Sequence, residues 1–159
     1  MPLKVIYGDE QYYDRIDITP AEVCRRFPEQ IPSTSMPGPG EVEELFLQLE
    51  EIGYDHIICL HISGGLSGTF DVVKMVAQSF PQLKIEVIDS KALSLGLGFL
   101  VMKAVQLRDL GVKFNDLVAQ IVKAKENIRI FFVVKTLEYL KIGGRIGFVQ
   151  ASIGDILDI

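Results

Sequence analysis

The chain has 159 residues, of which 48% are hydrophobic and 23% charged, so it fits the size of one domain and can build a hydrophobic core. Its formal net charge of -5 argues against a nucleic-acid binder, because affinity for a phosphate backbone depends on clustered Lys and Arg. The longest apolar stretch, 93–102, is about half a bilayer span and no apolar signal core begins the chain, so we expect a cytoplasmic protein without a transmembrane segment.

The first part of the chain predicts short strands and helices separated by a proline-rich loop. Thr19-Pro20-Ala21-Glu22 indicates a helix start, with a threonine N-cap, a proline at the first helical position and a glutamate three residues after the cap. Four prolines between residues 28 and 40 predict a loop. The elements predicted up to residue 80 are a strand at 3–7, an exposed edge segment at 14–18, a helix from 20 to about 27, a helix at 41–51, a strand at 56–62 and a helix at 70–80.

The second part predicts two further strands and three helices. The run 93–110 is apolar on most sides, so we expect that helix to be buried on more than one face. Asn115 and Thr136 are the expected N-caps of the next two helices, and Gly143-Gly144 ends the last one with a left-handed turn. These elements are strands at 84–88 and 128–134 and helices at 93–110, 115–125 and 136–141.

The order of these elements predicts an α/β fold in one domain, 1–159, with a mainly parallel sheet and helices on both faces. Both ends look unfinished, because a strand begins at once at residue 3 and residues 153–159 form an apolar run without a stop signal. We therefore expect a domain that is truncated at both ends.

The segment His61 to Phe70 is a glycine- and hydroxyl-rich loop between a predicted strand and a predicted helix, where free N–H groups favour an anion. Parallel sheets bind ligands at the carboxyl ends of their strands, so we expect this loop, the loop after residue 88 and Ser33-Thr34-Ser35 to collect there. Together with Arg145 they offer hydroxyls, glycine N–H groups and one cation, but few histidines or acids. This inventory predicts an anion that is held and not transformed, with no metal site.

Four blocks of the sequence resemble the DegV family, in the family's order and close to its spacing. They are residues 33–41, 61–70, 88–98 and 136–146. The resemblance implies the N-terminal lipid-binding domain of a fatty-acid-binding protein, without the family's first strand and second domain. It also implies that the chain needs no cofactor, performs no catalysis, and presents a long-chain fatty acid to the separate ATP-dependent subunit of a bacterial fatty acid kinase, in phospholipid metabolism.

The resemblance also implies which residues hold the fatty acid. Thr34 matches the threonine of the family's T-S-x-P-x-P-G loop and Ser67 matches the serine of its L-S-G-T loop, and these hydroxyls hold the carboxylate. Arg145 matches the arginine of the G-G-R-I block, near the carboxylate and the kinase-facing surface. The chain departs from the family at Gly38, where a serine is usual, and at Lys135, where an aspartate is common. The supporting loop residues are Ser35, Ser63, Gly65 and Gly68.

Apolar residues of the central strands and the long helix are candidates for the slot that takes the acyl chain, and the other interpretation of each is ordinary core. The expected partners are the fatty acid and the kinase subunit, with transient contact to a membrane surface and none to nucleic acid. The slot candidates are Ile58, Leu60, Ile62, Leu93, Leu95, Phe99, Phe131 and Val133.

Two other function classes stay open. Gly65-Leu66-Ser67-Gly68-Thr69 half resembles a nucleophile elbow, so the alternative is a small α/β hydrolase or phosphate-handling enzyme that uses Ser67. His61 would be its nearest base, although a histidine that ends an apolar strand is more often part of the core. A third hypothesis is an interaction domain whose loop 28–40 docks a partner.

Overall fold

The computed structural model describes residues 1–147, which form five strands and six helices. The predicted apolar run 153–159 lies outside these residues. The strands are β1 (Lys4–Tyr7), β2 (Glu10–Tyr13), β3 (Ser33–Ser35), β4 (His56–His61) and β5 (Lys84–Asp89). The helices are α1 (Pro20–Arg26), α2 (Pro39–Glu51), α3 (Thr69–Ala77), α4 (Ser94–Asp109), α5 (Phe114–Lys125) and α6 (Glu138–Ile142).

The centre of the fold is a parallel pair of strands, β4 and β5, joined by the crossover helix α3. The pairing runs from His56 opposite Lys84 to His61 opposite Asp89. Isoleucine, valine and leucine dominate both strands, as is typical of parallel strands covered on both faces. The predicted α/β class with a parallel sheet is confirmed, and the register brings the loops that follow both strands to one edge.

Helices cover both faces of this pair. Because successive side chains of a strand point to opposite faces, Ile57 and Cys59 of β4 pack against a core shared with α2 and α3. Ile58 and Leu60 pack against the other core, which α4 and α5 share with β5. Two separate hydrophobic cores therefore hold the strand pair from both sides.

A second sheet, antiparallel and in the order β2-β1-β3, was not predicted. Its strand β3 lies within the proline-rich segment 28–40, where the sequence predicts only loop. The predicted edge segment 14–18 follows β2 and forms only an isolated bridge between Asp14 and Ile18. Three residues carry too short a pattern to identify a strand, and β3 is ordered by its neighbour, with Thr34 opposite Val5.

The predicted strand at 128–134 is wrong. No strand is assigned to these residues, and the side chains of Phe131 and Val133 are 93% and 100% exposed. The strongly apolar composition predicts a strand, but a strand also needs a neighbour for its N–H and C=O groups. Within 1–147, β4 and β5 pair only with each other.

Helix α4 is buried on one face only, so the expectation of burial on more than one face is wrong. Leu100 and Leu107 are buried against α5, whereas Leu95, Phe99 and Met102 are 74%, 61% and 58% exposed. Hydrophobicity around the whole helix cannot distinguish burial from an exposed apolar surface. None of the helices between residues 1 and 147 is both long and apolar enough to cross a bilayer.

The helix ends agree in part with the sequence. Thr19 caps α1 as predicted, its Oγ1 accepting a hydrogen bond from the Glu22 N–H at 3.2 Å. Asn115 is not the cap of α5, because that helix begins one residue earlier, after Lys113. Thr136 accepts from the N–H of Glu138 at 3.1 Å although the cap of α6 is the next residue. Gly144 adopts the predicted left-handed conformation, with φ +73.

Phe46 provides a test of the core between α2 and α3. Its side chain is 1% exposed and its ring meets that of Phe80 edge-on, with centroids 5.4 Å apart. We expect Phe46→Ala to lower the free energy of unfolding by about 3–5 kcal/mol in urea denaturation, because it removes buried apolar surface and leaves a cavity. The matched control is Leu47→Ala on the same helix, 52% exposed, which should change it by less than about 1 kcal/mol. Equal losses in both variants would contradict this core.

Candidate functional site

Residues from four separate segments line one hollow of about 490 Å³. It lies where the loop after β4 approaches β3 and the segment that follows α6. Thr34, Ser67 and Arg145, the three predicted carboxylate-binding residues, are far apart in sequence and all line it. The structure therefore brings the predicted head-group residues together. The remaining lining side chains and backbone come from Leu3, Ser35, Met36, Ile62, Leu66 and Gly68.

The loop after β4 is held by its second residue, Ser63, which is buried. The Ser63 carbonyl accepts hydrogen bonds from the N–H groups of Leu66 and Ser67 at 2.9 and 3.2 Å, and its hydroxyl accepts from Gly65 at 3.3 Å. The Ser63 N–H donates in turn to the carbonyl of Ala92 at 2.8 Å. Ser63 and Gly65 therefore hydrogen-bond to each other within the loop, and neither lines the hollow.

Asp89, at the end of β5, joins this loop to the next one. Its Oδ1 accepts from the N–H of Gly64 at 3.2 Å and from the N–H of Lys91 at 2.8 Å. A Cβ on Gly64 would lie 3.3 Å from Asp89 Oδ2, so the close approach favours glycine there. One carboxylate thus aligns the loops that follow the two parallel strands.

The Ser67 hydroxyl lies at the amino end of α3. Its Oγ is 2.8 Å from Oγ1 of Thr69 and accepts from the Thr69 N–H at 3.3 Å. Either hydroxyl can donate in the Ser67–Thr69 pair, so Ser67 can turn its proton toward an anion in the hollow while Thr69 donates to it. The amino end of the helix adds a favourable field for negative charge.

The β3 side of the hollow touches the Ser67 loop directly. A Cβ on Gly68 would lie 2.9 Å from Sδ of Met36, so the two loops are in close contact and a side chain at Gly68 would displace the methionine. Thr34 is exposed beside it, in the short strand β3. The Met36 side chain therefore connects the segment that carries Thr34 to the loop that carries Ser67.

Arg145 connects the segment after α6 to the same loop. Its Nε donates to the carbonyl of Leu66 at 3.2 Å, and its Nη1 donates to the carbonyl of Gly143. The side chain is half-buried and lines the hollow. A fixed guanidinium on the wall makes this a site with positive potential for a carboxylate or a phosphate.

The predicted slot residues fall into three groups. Ile62 lines the hollow beside Ser67, while Ile58 and Leu60 pack against the core under α4 and α5. The remaining candidates lie outside the lining of the hollow, and four of them are strongly exposed. These are Leu95 at 74%, Phe99 at 61%, Phe131 at 93% and Val133 at 100%.

His61 is not hydrogen-bonded to Ser67. Its Nε2 is buried and has no hydrogen-bond partner within residues 1–147. Burial holds the pKa of this imidazole below its ordinary value, the α-amino group of Met1 acts in the same direction and Asp89 opposes them. The neutral ring is therefore favoured in the folded chain. No group of three or more His, Cys, Asp or Glu side chains suited to a metal ion occurs in the described part of the chain.

Three lining residues, Leu3, Met36 and Leu66, are not among the predicted site residues. Met36 and Leu66 lie in the two blocks that contain Thr34 and Ser67, and this adjacency is the signal that points to them. Leu3 has no such signal, because its position depends on how β1 pairs with β3. Leu3, the residue before β1, thus adds an apolar side chain to the site.

The lowered pKa of His61 predicts a pH dependence of stability. Below its ordinary pKa of 6.5 the unfolded chain binds a proton that the folded chain does not, so the free energy of unfolding should fall as the pH drops below about 6.5. We expect His61→Gln to reduce this slope in urea denaturation between about pH 5 and 7, because the variant lacks the imidazole whose protonation the folded chain disfavours. An unchanged slope in His61→Gln would contradict the assignment.

Comparison with known proteins identifies relatives of this chain. The family model described as "Uncharacterised protein, DegV family" matches residues 1–159. A DegV domain-containing protein of Clostridium acetobutylicum is 42% identical over 159 residues, 100% of this chain and 57% of the relative. One from Deinococcus radiodurans is 33% identical over 161 residues, again 100% and 57%. The chain thus spans 57% of the length of these curated relatives.

Solved structures of DegV proteins also resemble this chain in fold. "Fatty Acid Binding of a DegV family Protein from Thermus thermophilus" superposes with a TM-score of 0.85 at 37% identity, over 99% of this chain and 56% of that one. DegV from Bacillus subtilis, described as a fatty acid binding protein, gives 0.88 at 30% identity, over 100% and 57%. A stearic acid-binding protein from Eubacterium ventriosum gives 0.79 at 31% identity, over 98% and 56%. On its sequence, its fold and the full span of the family match, the chain belongs to the DegV family.

Proposed function

We propose that this chain binds a long-chain fatty acid and holds its carboxylate with the hydroxyls of Thr34 and Ser67, beside the guanidinium of Arg145. The observation that carries the proposal is that these three residues, from separate segments, line one hollow of about 490 Å³. The relatives from Thermus thermophilus, Bacillus subtilis and Eubacterium ventriosum, described as fatty-acid-binding, support the ligand class.

The polar groups that line the hollow suit a carboxylate. An ionised carboxylate that leaves water needs several donors, and each charge-assisted hydrogen bond contributes roughly 1.5–3 kcal/mol. Two hydroxyls and one guanidinium meet this need at the amino end of α3. The Ser67–Thr69 hydroxyl pair keeps the Ser67 oxygen in place without using its only proton.

The apolar side chains that line the hollow suit the first part of an acyl chain. They are those of Leu3, Ile62 and Leu66, and each methylene of the ligand that is buried against them contributes about 0.8 kcal/mol. Beyond the hollow, we propose that the tail lies against apolar surface that includes Leu95 and Phe99, which are exposed on α4. An exposed apolar surface of this kind is typical of an interaction site. The hydrocarbon tail of a fatty acid has the chemistry to cover it.

We further propose that the chain acts as a carrier in the cytoplasm, without a cofactor or catalysis of its own, and presents the acyl carboxylate to the ATP-dependent subunit of a fatty acid kinase. The open side of the hollow and the half-buried Arg145 support this role, because a phosphate transferred to the carboxylate needs access and positive charge. Phosphorylation of bound fatty acid by the kinase subunit, and its loss in the absence of this chain, would test the carrier role.

Mass spectrometry of an organic-solvent extract of the natively purified chain tests the ligand and the site together. We expect fatty acid in the parent and at least about tenfold less in the Thr34→Ala/Ser67→Ala double variant, because two donors to a desolvated carboxylate are lost. The control is Ser79→Ala, which removes an exposed hydroxyl after α3 and should leave retention unchanged. Equal retention in parent and double variant would refute the carboxylate site. Labelling of Ser67 by a serine-reactive phosphonate would instead favour the hydrolase.

A further inference from the structure

The carboxylate of Glu41 accepts hydrogen bonds from three donors that belong to three different segments. Its Oε2 accepts from the backbone N–H of Gly38 at 2.7 Å and from Nζ of Lys4, on β1, at 3.1 Å. Its Oε1 accepts from the hydroxyl of Tyr13, on β2, at 2.9 Å. Glu41 itself lies in the first turn of α2. One side chain therefore joins α2 and the loop before it to the β1–β2 hairpin.

These contacts stabilise the ionised form of Glu41. The Gly38 N–H, the Tyr13 hydroxyl and the Lys4 ammonium, in that order, hold the pKa of the Glu41 carboxyl below its usual range. Hydrogen bonds to a carboxylate are shorter and stronger than those between neutral groups. The same contacts raise the pKa values of Lys4 and Tyr13, because the Glu41 carboxylate accepts a hydrogen bond from the protonated form of each group.

The segment that Glu41 holds leads directly to the head-group site. Thr34 is bound at one end, where β3 pairs with β1 and Thr34 lies opposite Val5. Gly38, four residues later, is bound at the other end by Glu41. Between them Met36 contacts Gly68 of the Ser67 loop, and Pro37 is buried. The place of the Thr34 hydroxyl relative to Ser67 depends on both ends of this segment.

We propose that Glu41 is a positioning residue of the head-group site, which fixes the segment from Thr34 to Gly38 against the β1–β2 hairpin and so sets the affinity for the carboxylate. This proposal rests on the proposed function for its ligand. It goes further in naming a residue that does not line the hollow. Glu41 acts through Thr34.

A purely local role for Glu41 makes a different prediction. In a capping box the third helical residue bonds back to the N-cap N–H, and the Gly38–Glu41 contact alone would satisfy that role. The bonds to Lys4 and Tyr13 lie outside the helix and tie it to another sheet. Tyr13→Phe removes one of these ties, leaves the cap in place and therefore separates the two roles.

The test first measures the affinity for stearate of variants made in the parent and in the Thr34→Ala background. It then measures, without lipid, the backbone hydrogen exchange of residues 34–38. We expect Glu41→Ala to raise the Kd for stearate about tenfold in the parent and less than about twofold in the Thr34→Ala background, because the two residues act on one contact. Tyr13→Phe should raise the Kd by about threefold, and Glu41→Gln should fall between Tyr13→Phe and Glu41→Ala. The control Glu44→Gln, on the next turn of α2, should match the parent.

Without lipid, we expect Glu41→Ala to speed exchange at Thr34, Ser35, Met36 and Gly38, and to leave Leu66 and Ser67 as in the parent. Equal effects of Glu41→Ala in both backgrounds, or unchanged exchange at residues 34–38, would overturn the positioning role. If the parent binds no stearate, the proposed function fails, and the exchange measurement alone decides whether Glu41 positions the segment. The two failures are thus distinguishable.

Discussion

The parallel pairing of β4 with β5 is the constraint on which the site depends. It sets His61 opposite Asp89, so both strands end at one edge and their following loops must share the same space. The Asp89 carboxylate then aligns these loops by accepting from the N–H groups of Gly64 and Lys91. The amino end of α3 and the Ser67 hydroxyl take their places from this alignment. The pair itself is held by two hydrophobic cores, one on each face.

The head-group site is completed by segments that approach this edge from elsewhere. The short strand β3 carries Thr34 and reaches the site because β1 offers it a pairing partner. Arg145 reaches it after α6 and donates to the carbonyl of Leu66, which fastens that segment to the loop after β4. Each of the three groups is therefore held by a different kind of contact: a turn, a strand ladder and a side-chain bond to backbone.

Polar and apolar groups occur together in this molecule's candidate site. The hollow is lined by hydroxyls and a guanidinium together with Leu3, Ile62 and Leu66. Apolar side chains are also exposed on α4, among them Leu95 and Phe99. Such an arrangement matches a ligand with a small anionic head and a long apolar tail. The hydrogen bonds of Glu41 to Lys4, Tyr13 and Gly38 lie outside the lining of the hollow.

The sequence by itself determined the elements with strong periodicity and predicted the residues that we propose to bind the anion. The parallel strands, α2, α3 and the Thr19 cap follow from local patterns of apolar residues and from capping chemistry, which act within a few positions of each residue. The blocks that resemble the family predicted Thr34, Ser67 and Arg145 as the carboxylate-binding residues. What the tertiary structure decided is how distant segments meet. The strand β3, the exposure of Phe131 and the contacts of Glu41 all depend on whether a partner from elsewhere in the chain is present, and no local pattern encodes that.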